Sequence, residues 1–272
     1  MASRYIYRNA PLNEVIVELQ WELVEDQAGN RVDPVFRQFR ELFAVGAQKL
    51  GFGLHESLLP DEIPLELLSH KVTNRFRKTA DEWPLYQIGP GVFTANIVQP
   101  YSGWEAFRPI VEDGLKLLLD NYPIKIDLLN LDRMMLRYIN VFTAEHGVRS
   151  VPEFVRDELG LECTLNEKIF QTAEGGMSNV LHSGRFEFPI YGSKKSVGQI
   201  YWGKGESTNK ENDNVGLELR VISHDLDLSN GASNILERLD FSRSMINQWF
   251  EGLISDRVRA NLKREELVNH GS

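Results

Sequence analysis

Trp83-Pro84-Leu85-Tyr86-Gln87-Ile88-Gly89-Pro90-Gly91-Val92 is the stretch whose reading decides the fold. An apolar and aromatic run over about 84–88 meets a second run over 91–98 across Gly89-Pro90-Gly91. Glycine accepts the backbone angles of a tight reversal, and proline presets one of them. Strands joined this closely pair antiparallel, because a parallel pair needs a crossover of about a dozen residues or more.

The same signature extends upstream. Val15, Val17, Leu19 and Trp21 alternate with Glu14, Glu18 and Gln20, the period-two pattern of a half-buried strand. Gly29-Asn30 marks a turn. Phe36, Phe39, Leu42, Phe43 and Leu50 recur at helical spacing until Gly51. Residues 53–69, interrupted by Pro60 and Pro64, read as a loop with one helical turn, and 70–79 as a strand with Val72 and Phe76 inward.

Downstream, Ser102-Gly103-Trp104-Glu105 has capping-box spacing and opens a helix carrying Phe107, Val111, Leu115, Leu118 and Leu119. Pro109 should either delay its start or bend it. Met134, Leu136, Tyr138 and Phe142 form a later strand. Ser150-Val151-Pro152-Glu153 repeats the capping spacing before a short helix ended by Gly160. Strands are expected at about 168–173, 179–190, 197–204 and 215–224, with a polar hairpin loop over Gly203–Asn214. Asn230 is placed to cap a long terminal helix with Leu236, Leu239, Ile246, Trp249, Leu253 and Val258 along one stripe. The pattern implies an α+β fold, with largely antiparallel sheets packed against helices and two similar halves. The expected boundaries are 1–146 and 147–264, followed by a frayed tail over 265–272.

Composition narrows the function classes. The 272 residues are 42% hydrophobic and carry a net charge of -9, ordinary globular values that argue against a nucleic-acid partner. Cys163, the single cysteine, lies between acidic Glu162 and Glu167, which disfavour a thiolate, so it reads as structural. The first residues carry no apolar signal region, and no apolar run approaches the roughly 18 residues that span a bilayer. A cytoplasmic protein without membrane attachment is the expectation.

No complete catalytic motif appears. Gly198-Gln199-Ile200-Tyr201-Trp202-Gly203-Lys204 matches the first part of a phosphate-binding loop. Its interior is a strand sequence, however, and Gly205 stands where the metal-binding hydroxyl belongs. There is no Gly-x-Ser-x-Gly elbow. His55 and His70 flank the first-half loop and read as exposed. The most ligand-like cluster is His224-Asp225-Leu226-Asp227; a metal would want further ligands, and only the fold could bring His146 or His182 to it. Arg75 and Arg77 share one strand face and Arg137 interrupts Leu136 and Tyr138; with Lys204 they are the candidate anion-binding or partner-binding residues. The bland alternative is a set of solvated strand edges.

Four strings stand out: Tyr7-Arg8-Asn9-Ala10-Pro11-Leu12-Asn13-Glu14-Val15-Ile16, the Trp83–Val92 hairpin, Tyr101-Ser102-Gly103-Trp104-Glu105-Ala106-Phe107, and Leu136-Arg137-Tyr138-Ile139-Asn140. In this order they resemble a sporadically distributed, functionally uncharacterised bacterial family, most specifically over residues 7–142. That resemblance implies no catalytic residues; a patchy distribution implies genes on mobile elements, including defence or toxin–antitoxin cassettes. The expectation is a non-catalytic binding or regulatory protein with a protein partner or a second copy of itself, and no cofactor. The alternative is a metal-assisted hydrolase using His224, Asp225 and Asp227.

Overall fold

The computed structural model describes residues 5–60, 62–124, 130–161, 183–193, 195–205, 213–224, 226 and 231–266. Among these residues the centre is one nine-stranded sheet, antiparallel at every junction. The first five sheet strands in chain order are β2 (Leu12–Trp21), β5 (Leu54–Ser57), β6 (Asn74–Arg77), β7 (Leu85–Gly89) and β8 (Val92–Val98), while β3 (Val24–Glu25) and β4 (Arg31–Val32) form a separate ribbon. Then come β9 (Leu131–Phe142), β10 (Gly184–Pro189), β11 (Ser196–Lys204) and β12 (Val215–His224). Across the sheet they stand β10-β11-β12-β9-β2-β8-β7-β6-β5. The decisive hairpin is β7–β8, with Gly89 paired to Val92 and Gly91 at φ +74°.

This order contains a repeated plan. The first unit runs β2, α1 (Phe36–Lys49), β5 to β8, then α2 (Trp104–Asn121). The second runs β9, α3 (Val151–Glu153, continued by a π turn over Phe154–Glu158), β10 to β12, then α4 (Ala232–Leu253). In each unit the first strand pairs with the unit's last strand on one side, β2 with β8 and β9 with β12. On the other side the two first strands pair with each other. The halves are thus sewn into one sheet along β2·β9, and the equivalent helices α2 and α4 touch above that seam.

Alternation decides which face the helices cover. Val15, Val17, Leu19 and Trp21 of β2 face the core, as do Met134, Leu136 and Phe142 of β9. Aromatic rings fill the space under α1 and α2: Phe39 meets Tyr122 at 5.1 Å, Phe43 meets Phe76 at 5.1 Å, and Phe52 meets Tyr86 at 4.5 Å between centroids. Each such fully buried ring contributes about 1.5–3 kcal/mol. Gly198, the first glycine of the near-match to a phosphate loop, lies within β11. A Cβ there would come 2.6 Å from Trp249 and 2.7 Å from Phe188, so the glycine serves close packing.

Three local expectations are revised. Ser102 does not cap α2: Gly103, at φ +99°, is the N-cap, and its carbonyl accepts the Ala106 and Phe107 N–H groups at 3.3 Å. Pro109 does not delay the start of α2; it lies inside the helix, where it forfeits the bond to the carbonyl four residues back. The terminal helix stops at Ile254, and Ser255 starts α5 (Asp256–Asn261) by accepting the Val258 N–H at 3.1 Å. Arg264–Glu266 then form β13, paired antiparallel with β1 (Tyr5–Tyr7). Residues 162–182 and 206–212, which hold the expected strand at 168–173, Cys163, His182 and most of the polar loop, lie outside the described residues, as does Asn230.

Candidate functional site

The four residues expected to bind an anion or partner are not brought together. Arg75, Arg77 and Arg137 all point away from the helices, but β6 and β9 are separated by β7, β8 and β2. Four strand spacings put them roughly 19 Å apart. Each also has a neighbour. Arg77 pairs with Glu56 at 3.1 Å and donates to the Ala80 carbonyl at 2.7 Å. Arg75 lies 3.0 Å from the amide of Gln87. Arg137 and Arg220 both bind Glu218, and Arg220 stacks 4.2 Å from the Tyr201 ring. Lys204 ends β11 and pairs with Asp213 at 3.4 Å. His224 ends β12 opposite Arg133, while Asp225 and Asp227 lie outside the described residues. Among the described residues no three His, Cys, Asp or Glu side chains gather as a metal site, and no helix is long and apolar enough to cross a membrane.

A cavity of about 570 Å³ opens instead on the helix side of the seam, between the start of β2, the start of α2, the middle of β9 and α4. Three of the four distinctive strings meet there, contributing Tyr7–Leu12, Tyr101–Glu105 and Tyr138 with Asn140. The β-strand period explains the last pair. Tyr138 and Asn140 lie one period apart and face the cavity, whereas Arg137 and Ile139 face away.

Arg243 enters the same cavity from α4. It stands on the apolar stripe Leu236, Leu239, Arg243, Ile246, Phe250, spaced three and four residues apart. A charge on such a stripe is costly unless something receives it. Arg243 makes no ion pair with any described residue; its charge acts on the Tyr138 hydroxyl, which lies 3.0 Å from the Tyr101 hydroxyl. Burial pushes the Tyr138 hydroxyl up to about 12 and Tyr101 higher still, so both stay protonated at neutral pH. The Arg243 charge acts on these hydroxyls more strongly than the opposing Glu105 carboxylate.

The remaining walls are fixed by their neighbours. Asn140 is 4% exposed and donates Nδ2 to the Leu217 carbonyl at 3.2 Å, while its Oδ1 has no hydrogen bond among the described residues. Trp104 gives its indole N–H to Asp240 at 2.6 Å, and Arg108 binds both oxygens of Asp240 at 3.1 Å, clamping α2 to α4 beside the cavity. The N-terminal wall is strapped to the C-terminal segment. Arg8 and Asn9 give their N–H groups to the Lys263 and Leu262 carbonyls at 3.2 and 3.1 Å, and the Tyr7 hydroxyl reaches Glu251 at 2.7 Å. Leu12, Leu219, Ile246 and Phe250 supply apolar surface.

Sequence reasoning singled out the cavity-lining strings but not the cavity, and it missed Arg243. The available signal was an arginine in phase with Leu239 and Ile246 on a stripe otherwise apolar. Comparison with protein-family models, curated proteins and solved structures finds no match to this chain.

Proposed function

We propose that this chain is a non-catalytic binding protein that takes a small organic ligand in the cavity between its two units and acts as a receptor or regulatory module. The observation that carries this reading is the cavity itself, with Arg243 set on an otherwise apolar helical stripe and in no ion pair among the described residues. Its volume falls within the range of about 300–1,000 Å³ common to small-molecule sites. Its lining combines apolar and aromatic side chains with convergent polar groups, as such sites do. The seam position suits a regulatory role, since β2 with the segment leading into it, β9, α2 and α4 border the cavity, and occupancy bears on how they pack. A protein partner or a second copy of the chain would read that change, which is consistent with the cassette context implied by the family resemblance.

Native mass spectrometry of the protein purified from its own cells tests the reading. A small molecule should copurify and be lost on Asn247→Trp, which places an indole at an exposed position of the cavity lining. A chain free of small molecules in both forms, with no thermal stabilisation by any member of a metabolite panel, would overturn it.

A further inference from the structure

We infer that the ligand of this cavity is an amphipathic organic anion: an oxyanion head group, carboxylate or phosphate, held by Arg243, with an apolar body lying against Leu219, Ile246 and Phe250. The inference rests on the cavity reading above and specifies its chemistry. Donors outnumber acceptors where the polar groups converge. The guanidinium of Arg243 presents a rigid fork of N–H groups suited to a two-oxygen head group. The hydroxyls of Tyr101 and Tyr138 stand beside it at 3.0 Å from each other. The first turn of α2 adds backbone N–H groups, because its N-cap is a glycine with no side chain to occupy them.

Two groups limit what fits. The Glu105 carboxylate lies near the same helix start, with Oε2 3.5 Å from where a Cβ on Gly103 would sit, and it makes no ion pair among the described residues. It therefore repels an arriving anion and holds the affinity down. Asn140, 4% exposed and with no hydrogen bond to Oδ1 among the described residues, favours a hydroxyl or N–H on the ligand body near the head group. A simple inorganic anion would leave both this acceptor and the apolar wall without a partner, so the body is part of the recognition.

Two fluorescent probes of matched shape test the inference: anilinonaphthalene sulfonate, an aromatic anion with an N–H, and phenylnaphthylamine, its uncharged counterpart. The wild type should bind both and prefer the sulfonate. Arg243→Gln should weaken sulfonate binding by about tenfold or more while leaving the neutral probe within about twofold. Glu105→Gln should tighten sulfonate binding by about twofold to fivefold. Asn247→Trp should reduce both probes, and far-ultraviolet circular dichroism should show each variant folded. If both probes bind equally and neither Arg243→Gln nor Glu105→Gln shifts their ratio, the anionic class is wrong and the cavity reading survives. If neither probe binds the wild type, or Asn247→Trp leaves both unchanged, the cavity reading fails and this inference with it.

Discussion

Replacing Asp33 with alanine should destabilise the protein by about 3 kcal/mol, although the side chain lies far from the cavity in sequence. Asp33 is 7% exposed, and its carboxylate collects four donors, two on each oxygen. Oδ1 takes the Tyr122 hydroxyl at 3.0 Å and the Val35 N–H at 3.3 Å. Oδ2 takes the Trp21 indole N–H at 3.2 Å and the Gly91 N–H at 3.3 Å. One residue thereby joins β2, the turn after β7, the start of α1 and the end of α2. In the alanine variant Trp21 keeps the Tyr122 oxygen, 3.0 Å away, but the other three donors lose their acceptor. Each orphaned donor costs about 1–3 kcal/mol, offset in part because no carboxylate is then desolvated. Asparagine should cost somewhat less, since one oxygen still accepts, but its amide hydrogens face donors.

Burial is the largest influence on this carboxyl and raises its pKa above the ordinary 3.8, outweighing the four donors. The native state therefore holds the proton to higher pH than the unfolded chain does. Stability from this group is fully present below the unfolded value and is lost as pH rises through the folded value. Asparagine does not titrate, so the stability gap between wild type and Asp33→Asn should narrow as pH is raised from about 4. Urea unfolding followed by tryptophan fluorescence measures both effects, with Trp21 reporting on the network directly. An Asp33→Ala variant within about 0.5 kcal/mol of wild type, or a gap that widens with rising pH, would refute the reasoning.

Other perturbations probe the seam and the sheet. For Glu218, burial pushes the carboxyl up, but hydrogen bonds from Arg220 and Arg137 together with their charges carry it below its ordinary value. Glu218→Gln should cost about 1–2 kcal/mol at neutral pH, and that cost should shrink in urea titrations as pH falls through the lowered folded value of this carboxyl. Trp104→Phe removes the indole donor to Asp240 and should lower stability by about 1–2 kcal/mol, with hydrogen exchange rising at the facing turns of α2 and α4. Gly89→Ala would place a Cβ 1.8 Å from the Lys71 carbonyl oxygen, so thermal unfolding should show a loss of about 3 kcal/mol or more. An unchanged melting temperature would show that the backbone there yields freely.

The sequence by itself determined the local elements whose reasons are local. Alternation in Val15–Trp21, the Gly-Pro-Gly reversal and the apolar residues from Val215 to Val221 specify strands whatever lies beside them, and together they entail an antiparallel α+β protein. The strand residues within Gly198–Lys204 likewise exclude a phosphate loop before any contact is known. Capping was less legible: Ser102 and Glu105 have the spacing of a capping box, yet the positive φ of Gly103 puts the helix start one residue later. The ion pair of Arg137 is not legible in the sequence, because its partner Glu218 lies 81 residues away, on a strand whose register no local pattern reports. Only tertiary structure decided that β2 pairs with β9, and with that pairing the place where three strings and Arg243 meet. Strand period says which face a residue takes and helix period says which stripe. Which faces and stripes come together is set by long-range pairing, whose energy is spread over many residues far apart in the chain.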